Sequence, residues 1–205
     1  HGYEDIPEDV RDALISGNVY LGADAIVEAL DAGADVVITG RVSDPALIVG
    51  PIRHEFGWAA DDVDKIGHAV MLGHLMECAG HISGGYYADP GYKDVPDLDR
   101  LGYPILEIHE DGSSFITKVP GSGGLVNVDI CKEQLLYEVG DPSNLISPDG
   151  VVDFTGVRFA QVGPDKVRVS GARGKPKPER LRVIFCADGG YIGEGEISYG
   201  GPGAY

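Results

Sequence analysis

The chain has 205 residues, and 16 Lys and Arg against 33 Asp and Glu give it a formal charge of -17, with 43% hydrophobic and 24% charged residues. That length and apolar content suffice for a real hydrophobic core. The acidity argues against nucleic acid, which needs a basic partner surface, and against docking on anionic membranes. No apolar run reaches the ~18–20 residues of a membrane span. Three widely spaced cysteines, at 78, 131 and 186, imply no disulfide framework and a reducing, cytoplasmic setting.

In chain order, residues 23–32 carry a helical stripe of Ala25, Ile26, Ala29 and Leu30, closed by Gly33 as a stop. The β-branched run Asp35-Val36-Val37-Ile38-Thr39-Gly40 has the pattern of a buried parallel strand. Asp44-Pro45 reads as cap and first position of a helix to about Phe56, and another helix runs from about Ala60 to Ala79 with Asp61, Asp62 and Asp64 in its first turn. Beyond a loop-rich stretch, 104–108 and 113–118 read as strands joined by an Glu-Asp-Gly turn, and 129–138 as a helix. The last third is strand-like at 151–154, 157–162, 166–170, 181–187 and 191–198. The expected fold is α/β, with a mostly parallel sheet flanked by helices in the first two-thirds and a strand-rich, partly antiparallel final third. Residues 1–205 are expected to form a single segment of a longer domain, with 151–205 as its strand-rich part. The openings His1-Gly2-Tyr3-Glu4 and Gly200-Gly201-Pro202-Gly203-Ala204-Tyr205 both read as chain that continues.

Glycine is over-represented, with 31 residues against the ~7% of average usage, so tight and specific loops are the place to look for function. Gly40-Arg41-Val42-Ser43-Asp44-Pro45 sits at the carboxyl end of the expected strand, where α/β sheets bind ligands. There Arg41 and Ser43 offer donors for a carboxylate or phosphate, or Arg41 simply pairs with Asp44. His74, Glu77, Cys78 and His81 fall at i, i+3, i+4 and i+7, one helix face. Glu77 suits a general base and Cys78 a nucleophile. Four zinc ligands from one helix are awkward, since i and i+7 lie ~10 Å apart, and no metal is expected. Tyr86 and Asp89 in the Gly84–Asp94 loop read as lining residues. Lys118 and the loop Gly121, Ser122, Gly123 and Gly124 offer a cation and backbone N–H groups to an anion, without forming a Walker motif. Gly171–Arg180 is a local basic patch, able to guide an anionic ligand or to serve as an exposed Pro-stiffened loop.

Three runs together resemble the acyclic terpene utilisation (AtuA-type) family: Gly33–Pro45, Gly73–Gly80 with Gly84-Gly85-Tyr86, and Lys118–Val126. Gly193–Tyr199 fits as well. His81 departs from the pattern, where relatives tend to have Gln. The resemblance implies a central segment of a protein about twice this length or more, with a Gly-rich N-terminal region and often a small ferredoxin-like domain or subunit. It implies a place in acyclic, branched-acid catabolism and does not settle the reaction; the polar motifs point to an enzyme, expected as a homo-oligomer, that acts on a small-molecule acyl-CoA or hydroxy acid by hydratase- or lyase-type acid–base chemistry, with Glu77 as the acid–base group. No cofactor is expected beyond a CoA thioester as part of the substrate. The alternative is a non-catalytic scaffold or ligand-binding subunit of an acyl-CoA-processing complex.

Overall fold

A computed structural model describes residues 6–198, and its organising element is the helix α4 (Val63–Met76). Asp62 caps it by accepting a hydrogen bond from the Lys65 amide, in the first turn where a carboxylate also complements the helix dipole. Ile66, Ala69, Val70, Met71, Leu72 and Leu75 are all buried, so α4 is apolar nearly all round, as a helix enclosed by other elements must be. It packs on α3 (Ala46–Phe56) and α5 (Val128–Leu136), while α2 (Asp24–Asp31) covers α3. A short helix, α1 (Glu8–Asp12), precedes them and buries no residue. Two contacts depend on missing side chains. Gly67 lies against the backbone of Gly174, and a Cβ on Gly73 would come within 2.7 Å of Pro45 Cα.

Three small sheets surround the helices, and every strand pair in them is antiparallel. β1 (Leu14–Val19) pairs with β9 (Val183–Ala187). The order β2 (Pro104–Ile108), β3 (Ser114–Lys118), β7 (Lys166–Ser170), β6 (Arg158–Gly163) makes the largest sheet. β4 (Leu145–Ile146), β5 (Val151–Asp153) and β8 (Arg173–Lys175) make the third. The largest sheet turns Ile116, Val167 and Val169 into the core, the period-2 pattern of a half-buried strand. The hairpin between β2 and β3 closes on Gly112 at φ 80°, a conformation that favours glycine.

These findings correct the expected mostly parallel sheet. The run 35–40 forms no strand: Val36 and Ile38 are exposed at 78% and 93%, and the parallel bridge between Leu21 and Val42 falls beyond its end. A β-branched run signals strand propensity, but a strand exists only where another extended segment satisfies its N–H and C=O groups. Among the described residues no segment lies beside 36–40 to do so. β1, whose Ser, Gly and Asn break any clear alternation, was not expected and forms because β9 pairs with it. Residues 191–198 also form no strand. The helices at 23–32, 44–56, 60–79 and 129–138 are present as α2, α3, α4 and α5. The chain ends read as continuing segments, and Tyr199 of the last motif, lie outside the described residues. No helix among those described is long and apolar enough to cross a membrane.

His68 on α4 ties that helix to β3 through Ser114 Oγ, 2.9 Å from Nε2. Burial pushes its imidazole below the ordinary histidine range, against the opposing pull of a backbone hydrogen bond with Gly112. The folded state therefore binds this proton less readily than the unfolded chain does. The stability His68 contributes is present above the unfolded value of about 6.5 and is lost as pH falls through the lower folded value. Thermal unfolding followed between pH 7.5 and 5 should show a falling midpoint that His68→Gln flattens. An unchanged slope in the variant would remove His68 as the cause.

Candidate active site

The carboxyl end of α4 and the start of α3 meet because Gly73 lets Pro45 approach without a side chain between them. This places Ser43 and Asp44 beside His74 and Glu77, and all four line one cavity of about 500 Å³. Leu145, Ile146, Pro148 and Leu181 give that cavity an apolar wall, and Tyr20, Glu138, Arg180 and Arg182 complete its polar part. An apolar cleft with a few convergent polar groups is the usual form of a small-molecule site.

His74 is buried and held on both sides. Its Nε2 lies 3.1 Å from the Leu135 carbonyl oxygen, and its Nδ1 lies 3.0 Å from Glu77 Oε1. A carbonyl only accepts, so Nε2 carries a hydrogen. One further proton then lies between Nδ1 and Oε1, on the imidazole or on the carboxyl. Gln134 closes the frame by donating to the His74 carbonyl at 3.1 Å, so α5 fixes the end of α4 that carries Glu77. Glu77 Oε2 is buried without a hydrogen-bond partner, as is Ser43 Oγ. Buried polar atoms are normally paired, and two orphans on one cavity wall mark where a ligand or water is expected to bond.

Helix α4 ends at Met76, and Ala79 takes φ 47°, so the expected single face from His74 to His81 is broken. Past the break, a 3₁₀ helix (Ala79–Ser83) carries His81 away, to stack on Tyr86 with ring centroids 5.1 Å apart and to meet Tyr137 edge-on at 5.5 Å. Among the described residues no group of three His, Cys, Asp or Glu side chains is arranged to hold a metal ion. Cys78 sits at the break, outside the cavity lining. Burial pushes its thiol up, a hydrogen bond with Gln134 opposes this, and the carboxylates of Glu77, Glu138 and Asp44 push it further up. That environment disfavours the thiolate, the opposite of what activates a nucleophilic cysteine. The other two cysteines are also free, and burial pushes the Cys131 thiol up to about 12.

The remaining expected residues lie apart from the cavity. Arg41 pairs with Asp44 at 3.4 Å and lies over the Tyr20 ring at 5.0 Å, in an adjoining shallow groove. Asp44 makes no side-chain cap; Pro45 stands at the cap position and α3 starts at Ala46. Tyr86 lines a separate open groove with Tyr87, Lys93 and Tyr137. Asp89 closes its own loop through paired backbone bonds with Lys93. Lys118 is buried, donating to the Ser122 carbonyl at 2.7 Å and pairing with Asp165 at 3.4 Å. The amides of Ser122, Gly123 and Gly124 donate to Val119, Arg100 and Pro96. Gly123 is pressed against the Asp97 backbone and Gly124 against Ser83, so these two glycines serve close packing, whereas Gly121 takes φ 75° with nothing within 4 Å of where its Cβ would be.

The cavity also contains residues that sequence reasoning did not select. Tyr20 and Arg182 have no motif around them; Arg180, by contrast, ends the basic patch 171–180, which reads as a guide for an anionic ligand or as an exposed Pro-stiffened loop. Glu138 follows α5 at φ 58°, a left-handed conformation costing roughly 1–2 kcal/mol for a non-glycine residue. The adjacent Glu138 charge, reinforced by a hydrogen bond, holds the Tyr137 phenol protonated. A non-glycine residue held in strain at a cavity is the kind of signal that only coordinates reveal.

The chain matches the acyclic terpene utilisation family protein AtuA over residues 3–205. It belongs to that family. No curated protein and no solved structure matches it. Membership associates this AtuA family chain with acyclic terpene utilisation, a catabolic role. Two of the runs that carried the resemblance meet at the cavity, through Ser43, Asp44 and Pro45 of the one and His74 and Glu77 of the other.

Proposed function

We propose that this AtuA family chain is an acid–base enzyme acting on a branched acyclic hydroxy acid, free or as its CoA thioester, by elimination or addition of water. The observation that supports this reading is the Glu77–His74 pair, with Nδ1 and Oε1 3.0 Å apart at the cavity wall and Glu77 Oε2 left unpartnered. In the elimination direction Oε2 takes the proton from the carbon next to the carboxyl or thioester carbon. The released electron pair forms the carbon–carbon double bond as the adjacent C–O bond breaks. Glu77 returns the proton to the departing hydroxyl, which leaves as water. Leu145, Ile146 and Leu181 are suited to hold the hydrocarbon branches. A carboxyl that both takes and returns the proton needs no separate nucleophile, in keeping with the disfavoured Cys78 thiolate.

The test is isotopic. The protein is incubated in D₂O with 3-hydroxy-3-methylbutanoate and with its CoA thioester, and the carbon next to the carboxyl is followed by NMR. Deuterium entering that position, with or without net dehydration, is the expected result. Neither exchange nor dehydration in either substrate overturns the reading. It would favour a second one, a ligand-binding subunit of an acyl-CoA-processing assembly, which the exposed Ile15, Val36, Ile38 and Phe185 also suit as contacts to other subunits.

A further inference from the structure

The chain carries twice as many acidic as basic residues, yet two arginines line the same cavity as Glu77. Arg180 and Arg182 come from the segment that leads into β9, and the Arg182 carbonyl accepts from the Tyr20 amide at 2.9 Å, which holds this segment to the cavity edge. The Arg182 guanidinium lies 5.5 Å from the Tyr20 ring centroid, and Arg41 lies 5.0 Å from that same ring. Stacking of this kind pre-orients the planar fork before any ligand arrives. Arg41 has Asp44 as an ion-pair partner, whereas neither Arg180 nor Arg182 has a carboxylate within ion-pair distance among the described residues. Ser43, 6% exposed and with its Oγ unpartnered, lies just before the N-terminus of α3 on the same cavity wall. Unpaired guanidinium groups, a buried hydroxyl without a partner and the positive end of an 11-residue helix all favour negative charge.

We infer that Arg180, Arg182 and Ser43 form an anion-binding subsite that takes the carboxylate or phosphate group of the ligand. Glu77, Glu138 and Asp44 line the same cavity, and the two arginines enter it from a different element. The cavity therefore carries both signs of charge. An anionic head rests on the arginine side, the hydrocarbon runs along the apolar wall, and a hydroxyl or acidic C–H is presented to Glu77. This deepens the proposed function and rests on it for the placement of the reacting carbon; the anion subsite itself does not depend on it.

The experiment is calorimetric titration of the chain with three probes at low salt: 3-methylbutanoate, coenzyme A and the neutral methyl ester of 3-methylbutanoate. At least one of the two anions should bind, more weakly as salt is raised, and the ester should bind at least tenfold more weakly than the acid if the acid is the one held. Binding of the acid identifies a carboxylate and binding of coenzyme A alone a phosphate. Arg180→Ala/Arg182→Ala should weaken the bound anion tenfold or more, and Arg180→Lys/Arg182→Lys should recover part of that loss, which shows that the fold is intact. Glu77→Gln should leave anion binding unchanged or tighter, since it removes a like charge. Failure of both anions to bind, or equal binding by the double-alanine variant, overturns the subsite. Full turnover by Glu77→Gln with the arginine effect intact would instead remove the acid–base reading and leave the subsite standing.

Discussion

Glu77→Gln is expected to slow turnover of the branched hydroxy acid by roughly 10²–10⁴-fold, the usual contribution of a positioned general acid–base. In free energy that is about 3–5 kcal/mol on the barrier. The amide is nearly isosteric and keeps an oxygen and an NH₂ group in place of the two carboxylate oxygens. Its oxygen can still face His74 Nδ1, provided the imidazole carries that proton. What it cannot do is take a proton on the atom at the Oε2 position. The frame holding this residue, His74 to the Leu135 carbonyl and Gln134 to the His74 carbonyl, does not pass through Oε2. The thermal midpoint should therefore move little while kcat falls and the affinity for the acid is kept. Steady-state kinetics beside thermal denaturation separate the two effects. A variant with undiminished kcat ends the acid–base assignment, and one that loses its fold in step with its activity reduces Glu77 to a structural residue.

Gly174→Ala should destabilise the protein by about 3 kcal/mol, the upper part of the range for overpacking a tight interior. For a chain of this size that lowers the midpoint by roughly 6–12 °C. Gly174 lies on β8, and a methyl group there would overlap the Val63 carbonyl oxygen in the first turn of α4 and press on the Asp64 amide nitrogen. Both obstacles are backbone, which cannot rotate away as a side chain could. Relief requires β8 to move off α4, the helix that carries His74 and leads into Glu77. Gly40→Ala is the control. No atom lies within 4 Å of where its Cβ would be, and its backbone is not left-handed, so a change within about 0.5 kcal/mol is expected. Equal midpoints for the two variants would show that the α4–β8 contact is more compliant than its geometry indicates.

How far the sequence could be read depended on how local each signal was. The helical stripe ending at Gly33, the Asp44-Pro45 pair and the acidic residues 61, 62 and 64 are signals set within a few residues, and α2, α3 and α4 lie close to where they point, although Asp44 does not cap α3 and Asp62 caps α4 where a first-turn place was expected. The β2–β3 hairpin carries its own turn and was equally legible. The run Val36–Thr39 was misread because apolar β-branched composition says nothing about whether a partner strand is present. β1 was missed for the converse reason, since its pairing with β9 joins residues some 170 positions apart, as in Leu14 with Ala187.

The candidate site divides in the same way. Glu77 and Ser43 stand in motifs and were selected as residue types able to act as base and hydrogen-bond donor. That they share a cavity depends on Gly73 admitting Pro45, a contact across two helices. Glycine-rich loops looked alike in sequence, yet Ser122, Gly123 and Gly124 use their amides on carbonyls of the protein itself. Tyr20, Glu138 and the pair Arg180 and Arg182 enter the cavity from three separate stretches of chain with no common spacing. By itself the sequence determined the acidity, the helices, the hairpin and the chemically able side chains, because composition and short-range periodicity act within a few residues. Only the tertiary structure decided which strands exist, which glycines pack and which do not, and which charges face one another, because backbone pairing and burial are settled between residues far apart in the chain.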